Sequence, residues 1–533
     1  MTRLSKRSPL ICLLVAAPMT ALAQGVPDAG ALREQIERPL ETPALPGSSA
    51  PLEAEVGPQL ALPEGVTLTV NTFRFSGNTL LTESQLQSVV QRWIGRPIGF
   101  AELHQASRAI ATAYRSAGWI VRTLLPQQDV TEGVVTIQII ESRFAGARIE
   151  ADEMPTRVRP DVVLRTVESV QRTGTPLSVG AIDRALLLAD DLPGVVVLGA
   201  LEPGSKPGET ALQLHVQDDS LIDGSATVDN GGARSTGTGR ALVTANLQSP
   251  LRLGDRARAD LLASEGARYG RLGYNLPIGG EGWRAGANVS YFDYELVSSP
   301  FAGLDAHGSS SSYGLDASYP IHRARLRNLY LTLAADQRNY RNLANGAVQS
   351  DYDIASFTAG LAGNLFDTKF GGGSNSFSLN FVHGRVRQGT TDVGENPVYD
   401  GNFWKVRWAL TREQIVTSSL TIHAHFSGQY ASEALDSAER FYLGGPDGAR
   451  GYDVNDGGGS RSELVQLELL WRVMPTLVAT VFTDYGHTRN FTEGADQSLR
   501  NVGAQLTWTA PRSVKVDATF SRQRLWLQAS IPF

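Results

Sequence analysis

Two groups of polar residues in the C-terminal half of the chain have side chains of the types that bind metal ions. Residues 453–459 begin like a calcium-binding loop, but Gly457 stands where an oxygen ligand is needed and Leu464 where a glutamate is needed. His423 and His425 share one face of an alternating strand without a readable third ligand, which is more typical of polar lining residues than of a metal site. We therefore expect no metal ion and no cofactor.

Catalytic arrangements are not identifiable in the chain either. Residues 371–373 are three glycines, but the lysine and the following helix of a phosphate-binding loop are missing. A Ser-His-acid triad is recognised by geometry and not by residue order, so none can be assigned from the sequence. We predict that the protein is not an enzyme. A hydrolase is the alternative, which an esterase assay on the purified protein would test.

Composition excludes several other classes of protein. The 533 residues include 54 glycines without a G-X-Y period, and Leu, Val and Ile are too plentiful for a disordered chain. The formal net charge of −6 argues against a nucleic-acid partner, because neutralising phosphates requires a basic surface. No stretch reaches the roughly 18 consecutive apolar residues of a transmembrane helix. The length indicates more than one domain.

The N-terminus, residues 1–23, has the features of a secretory signal peptide. Three basic residues precede an apolar stretch, and Ala21 and Ala23 form an A-x-A site that predicts cleavage after Ala23. The only cysteine, Cys12, would be removed with this segment. An exported chain without disulfides must be held together by a core or by a closed sheet.

Residues 24–65 are rich in proline and are expected to form a short helix followed by an extended linker. The helix is expected at residues 28–38, with Asp28 as its N-cap, Leu32 and Ile36 on one face, and Pro39 at its end. Its apolar stripe is narrow and its polar face is dense. That pattern suits a helix in a wet environment rather than in a packed core.

Residues 66–142 and 143–217 are expected to form two small α+β domains with the same β-α-α-β-β order. In the first, Thr82 and Gln85 have the spacing of a capping box at the start of a helix. The expected elements of the first are strands at 67–75, 119–125 and 134–140 and helices at 82–94 and 100–117. Those of the second are strands at 144–150, 195–200 and 210–216 and helices at 160–172 and 179–191.

From residue 218 to residue 533, helical periodicity gives way to alternation of apolar and polar residues. Residues 420–430, for example, are apolar or small at even positions and polar at odd positions. A soluble sandwich would also alternate, but loops rich in Gly, Ser and Asp and a final strand ending on Phe533 match an outer-membrane barrel. At about 20 residues per strand and connection, the region predicts about 16 transmembrane antiparallel strands around an aqueous channel.

This organisation resembles a known family over nearly the whole exported chain. Two β-α-α-β-β units before such a barrel are similar to the polypeptide-transport-associated (POTRA) domains and barrel of two-partner secretion transporters, the haemolysin-activator and filamentous-haemagglutinin transporter type. The motifs that carry the resemblance are 73–81 (FRFSGNTLL), 114–119 (YRSAGW), 192–194 (LPG), 228–232 (VDNGG), 441–452 (FYLGGPDGARGY) and 482–486 (FTDYG).

The resemblance implies that an R-G-Y tip on a long loop folds back into the lumen and meets an F-x-D-x-G strand. The residues concerned are Arg450, Gly451, Tyr452, Phe482, Asp484 and Gly486. Strand alternation also turns Asp484 towards the lumen, where the planar guanidinium of Arg450 could bind it bidentately. We predict a central ion pair with Tyr452 and Phe482 packed around it.

The resemblance also implies an outer-membrane translocator with periplasmic POTRA domains. It would take an unfolded secreted partner protein from the periplasm, guide it through the barrel and release it outside, driven by folding of the partner. The first POTRA domain would bind the partner at a strand edge, through Trp119, Val121, Thr123 and Leu125. The helix at 28–38 would plug the lumen. Outer-membrane lipid and the barrel-assembly machinery that inserts the barrel would be the other partners.

Other functions for such a barrel would give the POTRA domains a different role or none. An assembly or insertion factor of the same superfamily is the nearest, although such factors usually carry more than two POTRA domains. A passive porin would need no periplasmic domains of this kind. The sequence leaves open whether the exported protein is a cytolysin, an adhesin or a growth-inhibition toxin.

Overall fold

The computed structural model of the chain describes residues 26–40, 45–47, 67–150, 154–299, 301–388, 400–489, 496–522 and 524–533. The predicted signal peptide with its cleavage site, and most of the predicted linker, lie outside these residues. Within the described part of the chain, no helix has the length and apolar character needed to cross a membrane.

Helix α1 (Ala29–Leu40) is the first element of the structure. Asp28 caps it as predicted, because its carboxylate accepts a hydrogen bond of 2.8 Å from the amide of Ala31. The helix runs to Leu40 and does not stop before Pro39. The fixed backbone angle of proline is compatible with a helix, so the prediction that Pro39 ends it was wrong by two residues.

The first globular unit contains the predicted β-α-α-β-β order with two short strands added. Its elements are β1 (Thr67–Thr69), β2 (Thr72–Ser76), α2 (Glu83–Val90), β3 (Pro97–Gly99), α3 (Phe100–Ser116), β4 (Val121–Leu124) and β5 (Val134–Glu141). The main sheet has the order β2-β5-β4, while β1 and β3 pair separately. The strand predicted from Trp119 begins at Val121, because Trp119 bridges instead to Ser178 of the next unit.

Apolar residues on both helices of the first unit face its sheet. Leu86 on α2 and Ile110 on α3 are fully buried with Phe73 of β2. The predicted capping box is present: Thr82 accepts from the Gln85 amide, and the Gln85 side chain accepts from the Thr82 amide at 2.9 Å.

Glu141 fastens the segment that follows β2 to the end of β5. Its carboxylate accepts hydrogen bonds from the amides of Thr79 and Leu80 at 2.7 and 2.8 Å and from the hydroxyl of Tyr114 at 3.0 Å. Burial raises the pKa of Glu141, but these hydrogen bonds outweigh burial and leave the pKa below its usual range. The motifs at 73–81 and 114–119 thus meet at one carboxylate, which gives them a structural role.

The second unit repeats the order without additional strands. Its elements are β6 (Arg143–Ile149), α4 (Pro160–Val170), α5 (Val179–Asp190), β7 (Val195–Pro203) and β8 (Glu209–Asp218). The sheet has the order β6-β8-β7, with β6 parallel to β8. Val163 of α4 and Leu186 of α5 are buried against Phe144 and Leu214 of the sheet.

The rest of the chain forms a closed barrel of 16 strands, which confirms the predicted number. All neighbours are antiparallel, and the last strand pairs with the first. The strands are β9 (Ile222–Asp229), β10 (Arg240–Gln248), β11 (Arg256–Ser264), β12 (Ala267–Ile278), β13 (Trp283–Glu295), β14 (His307–Arg323), β15 (Arg327–Ala344), β16 (Ala347–Asp367), β17 (Gly373–Gln388), β18 (Gly401–Ile415), β19 (Leu420–Ala431), β20 (Arg461–Met474), β21 (Leu477–Arg489), β22 (Gln497–Thr509), β23 (Lys515–Ser521) and β24 (Arg524–Pro532).

The two faces of the barrel wall differ in polarity. On β21, Val481 and Tyr485 are exposed on the outer surface, whereas Thr480 and Asp484 are buried on the lumen side. The longest strand, β16, has 21 residues. Because about 9–11 residues are enough to cross the membrane, β16 extends well beyond it.

The second unit is docked on the turns at one end of the barrel. Arg323, at the end of β14, donates two hydrogen bonds of 2.8 and 2.9 Å to the carboxylate of Asp191. Arg184 of α5 donates to the main-chain oxygen of Pro320 at 2.7 Å. The motif at 192–194 also lies at this junction, since Ser249 of the first turn donates to the oxygen of Pro193.

Among the described residues, two segments lie in the lumen. One is α1, which contacts β13, β14 and β15. The other is the inward loop, residues 432–460, which joins β19 to β20. The turns on the second unit's side precede the odd-numbered strands β11, β15 and β19, so the inward loop enters from the opposite end of the barrel.

Candidate transport site in the barrel lumen

Glycines allow the inward loop to fold tightly on itself. Its base is closed by Phe441 and Gly459, which exchange main-chain hydrogen bonds of 2.9 and 3.0 Å. A Cβ atom at Gly444 would lie 1.9 Å from the oxygen of Asp453, and one at Gly448 would lie 2.1 Å from the oxygen of Leu443. Any larger residue at either position would push the loop tip away from the wall.

Arg450 at the tip of the inward loop forms the predicted ion pair with Asp484 of β21. The guanidinium donates through Nε at 3.1 Å and through Nη2 at 2.6 Å, so the pair is bidentate. The Arg450 amide adds a third bond of 3.0 Å to the same carboxylate. Arg450 is 5% exposed and Asp484 is 1% exposed. The pair is therefore sheltered from water.

A second carboxylate, Glu468 of β20, shares the same guanidinium. Its Oε1 accepts a bond of 2.6 Å from Nη1 of Arg450, and its Oε2 lies 3.5 Å from Nδ1 of His423. Glu468 was not among the residues predicted from the sequence, and His423 was predicted only to line the lumen. The available signal was a carboxylate deep inside an otherwise apolar alternating strand, the same signal that identified Asp484.

The other predicted residues of the site have distinct places. The Phe482 ring lies under the guanidinium, with its centroid 3.5 Å from Cζ of Arg450. Tyr452 packs beside the apolar cluster of the inward loop and donates to the oxygen of Arg500 at 3.1 Å. At Gly451 a Cβ atom would meet Asn501 at 2.5 Å, and at Gly486 it would meet Leu443 at 3.1 Å.

Helix α1 is held in the lumen mainly by neutral wall residues. Arg33 binds Glu37 on the helix itself, with two hydrogen bonds of 2.9 Å. Hydroxyl groups of the wall bind this pair as well. Ser310 and Ser312 accept hydrogen bonds from Arg33, and Tyr269 donates one to Glu37. The polar side of the helix thus carries its own counter-ion.

Two further sets of contacts join α1 to its surroundings. Glu34 forms an ion pair of 2.7 Å with Arg407 of β18. Asp28 accepts hydrogen bonds of 2.8 and 2.7 Å from Ser437 of the inward loop, and Arg38 donates to the oxygen of Tyr442 at 2.7 Å. The helix therefore contacts the wall and the inward loop together.

The predicted partner-binding residues of the first unit lie on or beside β4, an edge strand of its sheet. All four are half-buried, and their side chains turn towards the domain core: Trp119, Val121, Thr123 and Leu125. The alternate residues Arg122 and Leu124 point outwards, and Leu124 is 46% exposed. What this strand offers to a partner is its main-chain edge and these two outward side chains.

No group of three His, Cys, Asp or Glu side chains that could hold a metal ion occurs among the residues described above. His425 shares a hydrogen bond of 2.9 Å with Thr411 and so lines the wall. The calcium-like run also has a different use, since Asp453 pairs with arginine side chains.

Comparison with known proteins finds the same arrangement elsewhere. Residues 208–509 match the family described as haemolysin secretion/activation protein ShlB/FhaC/HecB, and residues 68–142 match the ShlB-type POTRA domain. The heme/hemopexin transporter protein HuxB of Haemophilus influenzae is 24% identical, with 94% of this chain and 92% of HuxB covered. The outer membrane transporter CdiB of Escherichia coli is 25% identical over 86% of this chain and 79% of its own length.

Solved structures share the fold. CdiB from Escherichia coli superposes with a TM-score of 0.71 at 22% identity, covering 91% of this chain and 94% of that one. BamA from Haemophilus ducreyi lacking POTRA domains 1–3 gives a TM-score of 0.52 at 13% identity, covering 88% and 100%.

The chain belongs to the family of haemolysin secretion/activation proteins, since the family match spans more than half of its residues. It is an outer-membrane β-barrel transporter that exports a partner exoprotein, in a family of transporters and not of enzymes. It has periplasmic POTRA domains, and the POTRA family match covers residues 68–142, the first of its small α+β units. The predicted family, fold class, function and location are confirmed.

Proposed function

We propose that this transporter exports one long partner protein, as an extended chain, through a lumen that α1 closes at rest. The observation that supports this most directly is the internal pairing of Arg33 and Glu37 among neutral wall hydroxyls. Because both charges of this pair belong to the helix, the helix can leave the lumen without leaving either charge unpaired. Its departure would open a polar channel in a barrel of this size.

The inward loop is proposed to stay while α1 leaves. Arg450 is bound by Asp484 and Glu468, and both carboxylates would lose their cation if the loop withdrew. An uncompensated buried charge costs about 3–5 kcal/mol. We call the cluster of Arg450, Asp484 and Glu468 the lock, and we expect it to stay intact during transport. The exported chain would then pass along the side of the lumen that α1 vacates.

The edge of β4 in the first POTRA domain is the proposed recognition site. β4 pairs with β5 on one side, and no strand of the described chain pairs with its other side. An extended partner could add there through main-chain hydrogen bonds, with Arg122 and Leu124 next to its alternate side chains. Recognition by main chain tolerates many partner sequences.

The exported partner is proposed to be a large secreted protein that carries a secretion domain. Relatives are named as a heme/hemopexin transporter and a hemolysin transporter, which makes a haem-acquisition protein and a cytolysin the first candidates. We propose no nucleic-acid partner, in line with the acidic net charge. Deleting the transporter in its host should remove one such protein from the medium. A general loss of outer-membrane barrels would support the assembly-factor alternative.

Lipid and the barrel-assembly machinery are the proposed partners of the outer surface and of the last strand. Phe533 exchanges main-chain hydrogen bonds of 2.9 and 3.0 Å with Gly224 at the periplasmic end of the barrel. Deleting Phe533 should therefore reduce the folded, heat-modifiable form in outer membranes. Unchanged assembly would show that insertion does not depend on this residue.

The recognition edge can be tested with a matched pair of charge reversals. Arg122→Glu alters the outward face of β4, and Arg74→Glu makes the same change on β2, the opposite edge strand. The first should lower secretion of the partner while the transporter stays at wild-type levels in the membrane, and the second should not. Equal effects of the two variants would exclude β4 as the specific site.

A further inference from the structure

The strand pair that closes the barrel is the shortest pair in its wall. Five residue pairs join β9 and β24, residues 225–229 with 528–532, whereas β15 and β16 pair over the whole of β15. Strand pairs gain stability with each added residue pair, so this closing seam is the weakest place in the wall.

Asn230 lengthens the closing seam at its extracellular end by imitating a further residue pair. Its amide donates to the oxygen of Leu527 at 3.2 Å, and its side-chain oxygen accepts from the amide of Leu527 at 2.8 Å. Its side-chain nitrogen donates to the oxygen of Leu525 at 2.9 Å. Above this level, residues 524–526 of β24 have no partner strand across the seam in the described register.

Asp453 of the inward loop reaches both sides of this open end. One carboxylate oxygen forms an ion pair with Arg524 of β24, and the other lies 3.3 Å from Nε of Arg234 in the loop that follows β9. The Arg450 oxygen, three residues earlier, accepts hydrogen bonds from Ser521 at 2.8 Å and from Trp526 at 2.7 Å. The tip of the loop is thus seated against the hairpin that ends the barrel.

We propose that Asp453 is a positioning residue that straps the closing seam, by holding one arginine from each side of it. Without the carboxylate, the two guanidinium groups would face each other as like charges and favour separation. The strap is distinct from the Arg450 lock, whose carboxylates belong to β20 and β21. It concerns barrel closure and does not depend on which protein is exported.

The test uses the full chain and a disulfide placed across the seam. Gly224 and Phe533 exchange both main-chain hydrogen bonds, so Thr227 and Ser530, three pairs further along, form a non-hydrogen-bonded pair with close Cβ atoms. Thr227→Cys with Ser530→Cys can therefore close the seam covalently. The only other cysteine is Cys12, within the predicted signal peptide.

The readout is the temperature at which the folded barrel converts to its unfolded form on a gel. Asp453→Asn should lower this midpoint by several degrees in the reduced protein, and the double variant Arg234→Gln with Arg524→Gln should do the same. With the disulfide closed, Asp453→Asn should have no further effect. Asp447→Asn, an exposed acid in the same loop, is the matched control and should leave the midpoint unchanged.

Two results would overturn the proposal. An unaltered midpoint in reduced Asp453→Asn would mean that the carboxylate does not hold the seam. A fall that persists with the disulfide closed would mean that Asp453 acts only within the inward loop.

Discussion

The lumen holds two segments that are anchored in opposite ways. Helix α1 pairs Arg33 with its own Glu37 and meets mostly hydroxyl and amide groups of the wall. The inward loop instead places Arg450 against Asp484 and Glu468, carboxylates that belong to the wall. Among the described residues, removing α1 breaks hydrogen bonds to neutral wall groups and one ion pair, whereas removing the loop leaves the buried Asp484 and the half-buried Glu468 without their shared cation. Although α1 and the inward loop are both buried in the lumen, we expect the loop to stay there more permanently than the helix.

The physical basis of this difference is where the counter-charge resides. A hydrogen bond between a charged side chain and a neutral wall group contributes about 1.5–3 kcal/mol net, because water replaces the partner when the bond opens. A buried charge that loses its partner costs about 3–5 kcal/mol. A movable plug and a fixed lock can thus be built in one lumen from the same residue types.

Breaking the lock should have the largest effect. Arg450→Ala and Asp484→Ala should each abolish secretion in a barrel that still inserts, because the first leaves Asp484 as an uncompensated buried charge and the second removes the carboxylate that binds Arg450 at both Nε and Nη2. The double variant should be no worse than either single one, since both remove the same pair. The measurements are partner protein in the medium and heat-modifiable transporter in the membrane. Normal secretion by Arg450→Ala at wild-type membrane levels would disprove the lock.

Removing the plug helix should have the second-largest effect, and this effect should be on conductance and not on secretion. Deleting residues 28–38 should raise single-channel conductance in planar bilayers, because the segment occupies the lumen, while secretion stays largely intact. The comparison with Arg450→Ala is direct, since one variant opens the pore and keeps export and the other loses export. Unaltered conductance would place the helix elsewhere in the working protein.

A smaller effect is expected from the one ion pair between helix and wall. Glu34→Gln should make openings more frequent but leave the fully open conductance unchanged, because Arg407 keeps a hydrogen bond of 2.6 Å to Gln429. Bilayer recordings of open probability measure this. Openings as frequent as in the deletion would show that Glu34 alone retains the helix.

The smallest effect is expected from the loss of a single wall hydroxyl. Tyr269→Phe removes one hydrogen bond of 2.8 Å to Glu37, which stays paired with Arg33. The expected loss from the closed state is at the low end of about 1.5–3 kcal/mol, or roughly tenfold in open probability, because Glu37 carries a charge but keeps its ion pair with Arg33. A change as large as that of Glu34→Gln would contradict the view that wall hydroxyls contribute only weakly.

The sequence located the two ends of the Arg450–Asp484 pair but not its third member. Asp484 was identifiable because a carboxylate inside an alternating strand must avoid lipid. The same rule applied to Glu468, yet nothing in the sequence placed Glu468 opposite the loop tip. Only the register of β20 against β21, which pairs Glu468 with Phe482, brings it there.

The POTRA edge shows a similar division. Alternation around β4 was visible in the sequence, but the inward orientation of Val121 and Thr123 came from packing against α3 and the core. The observed strand is also shorter than the predicted one, because Trp119 pairs with Ser178 of the second α+β unit. Contacts between domains carry no local periodicity.

The sequence by itself determined the two α+β units, the alternation that requires a barrel and the number of strands. These features follow from local periodicity and from charge that must avoid lipid, so they are written along the chain. Tertiary structure alone decided that α1 carries its counter-ion among neutral groups, that Glu468 joins the lock and that Asp453 meets arginines from both sides of the seam. Those contacts join residues far apart in the sequence, and their geometry depends on strand register and barrel closure, which no local pattern encodes.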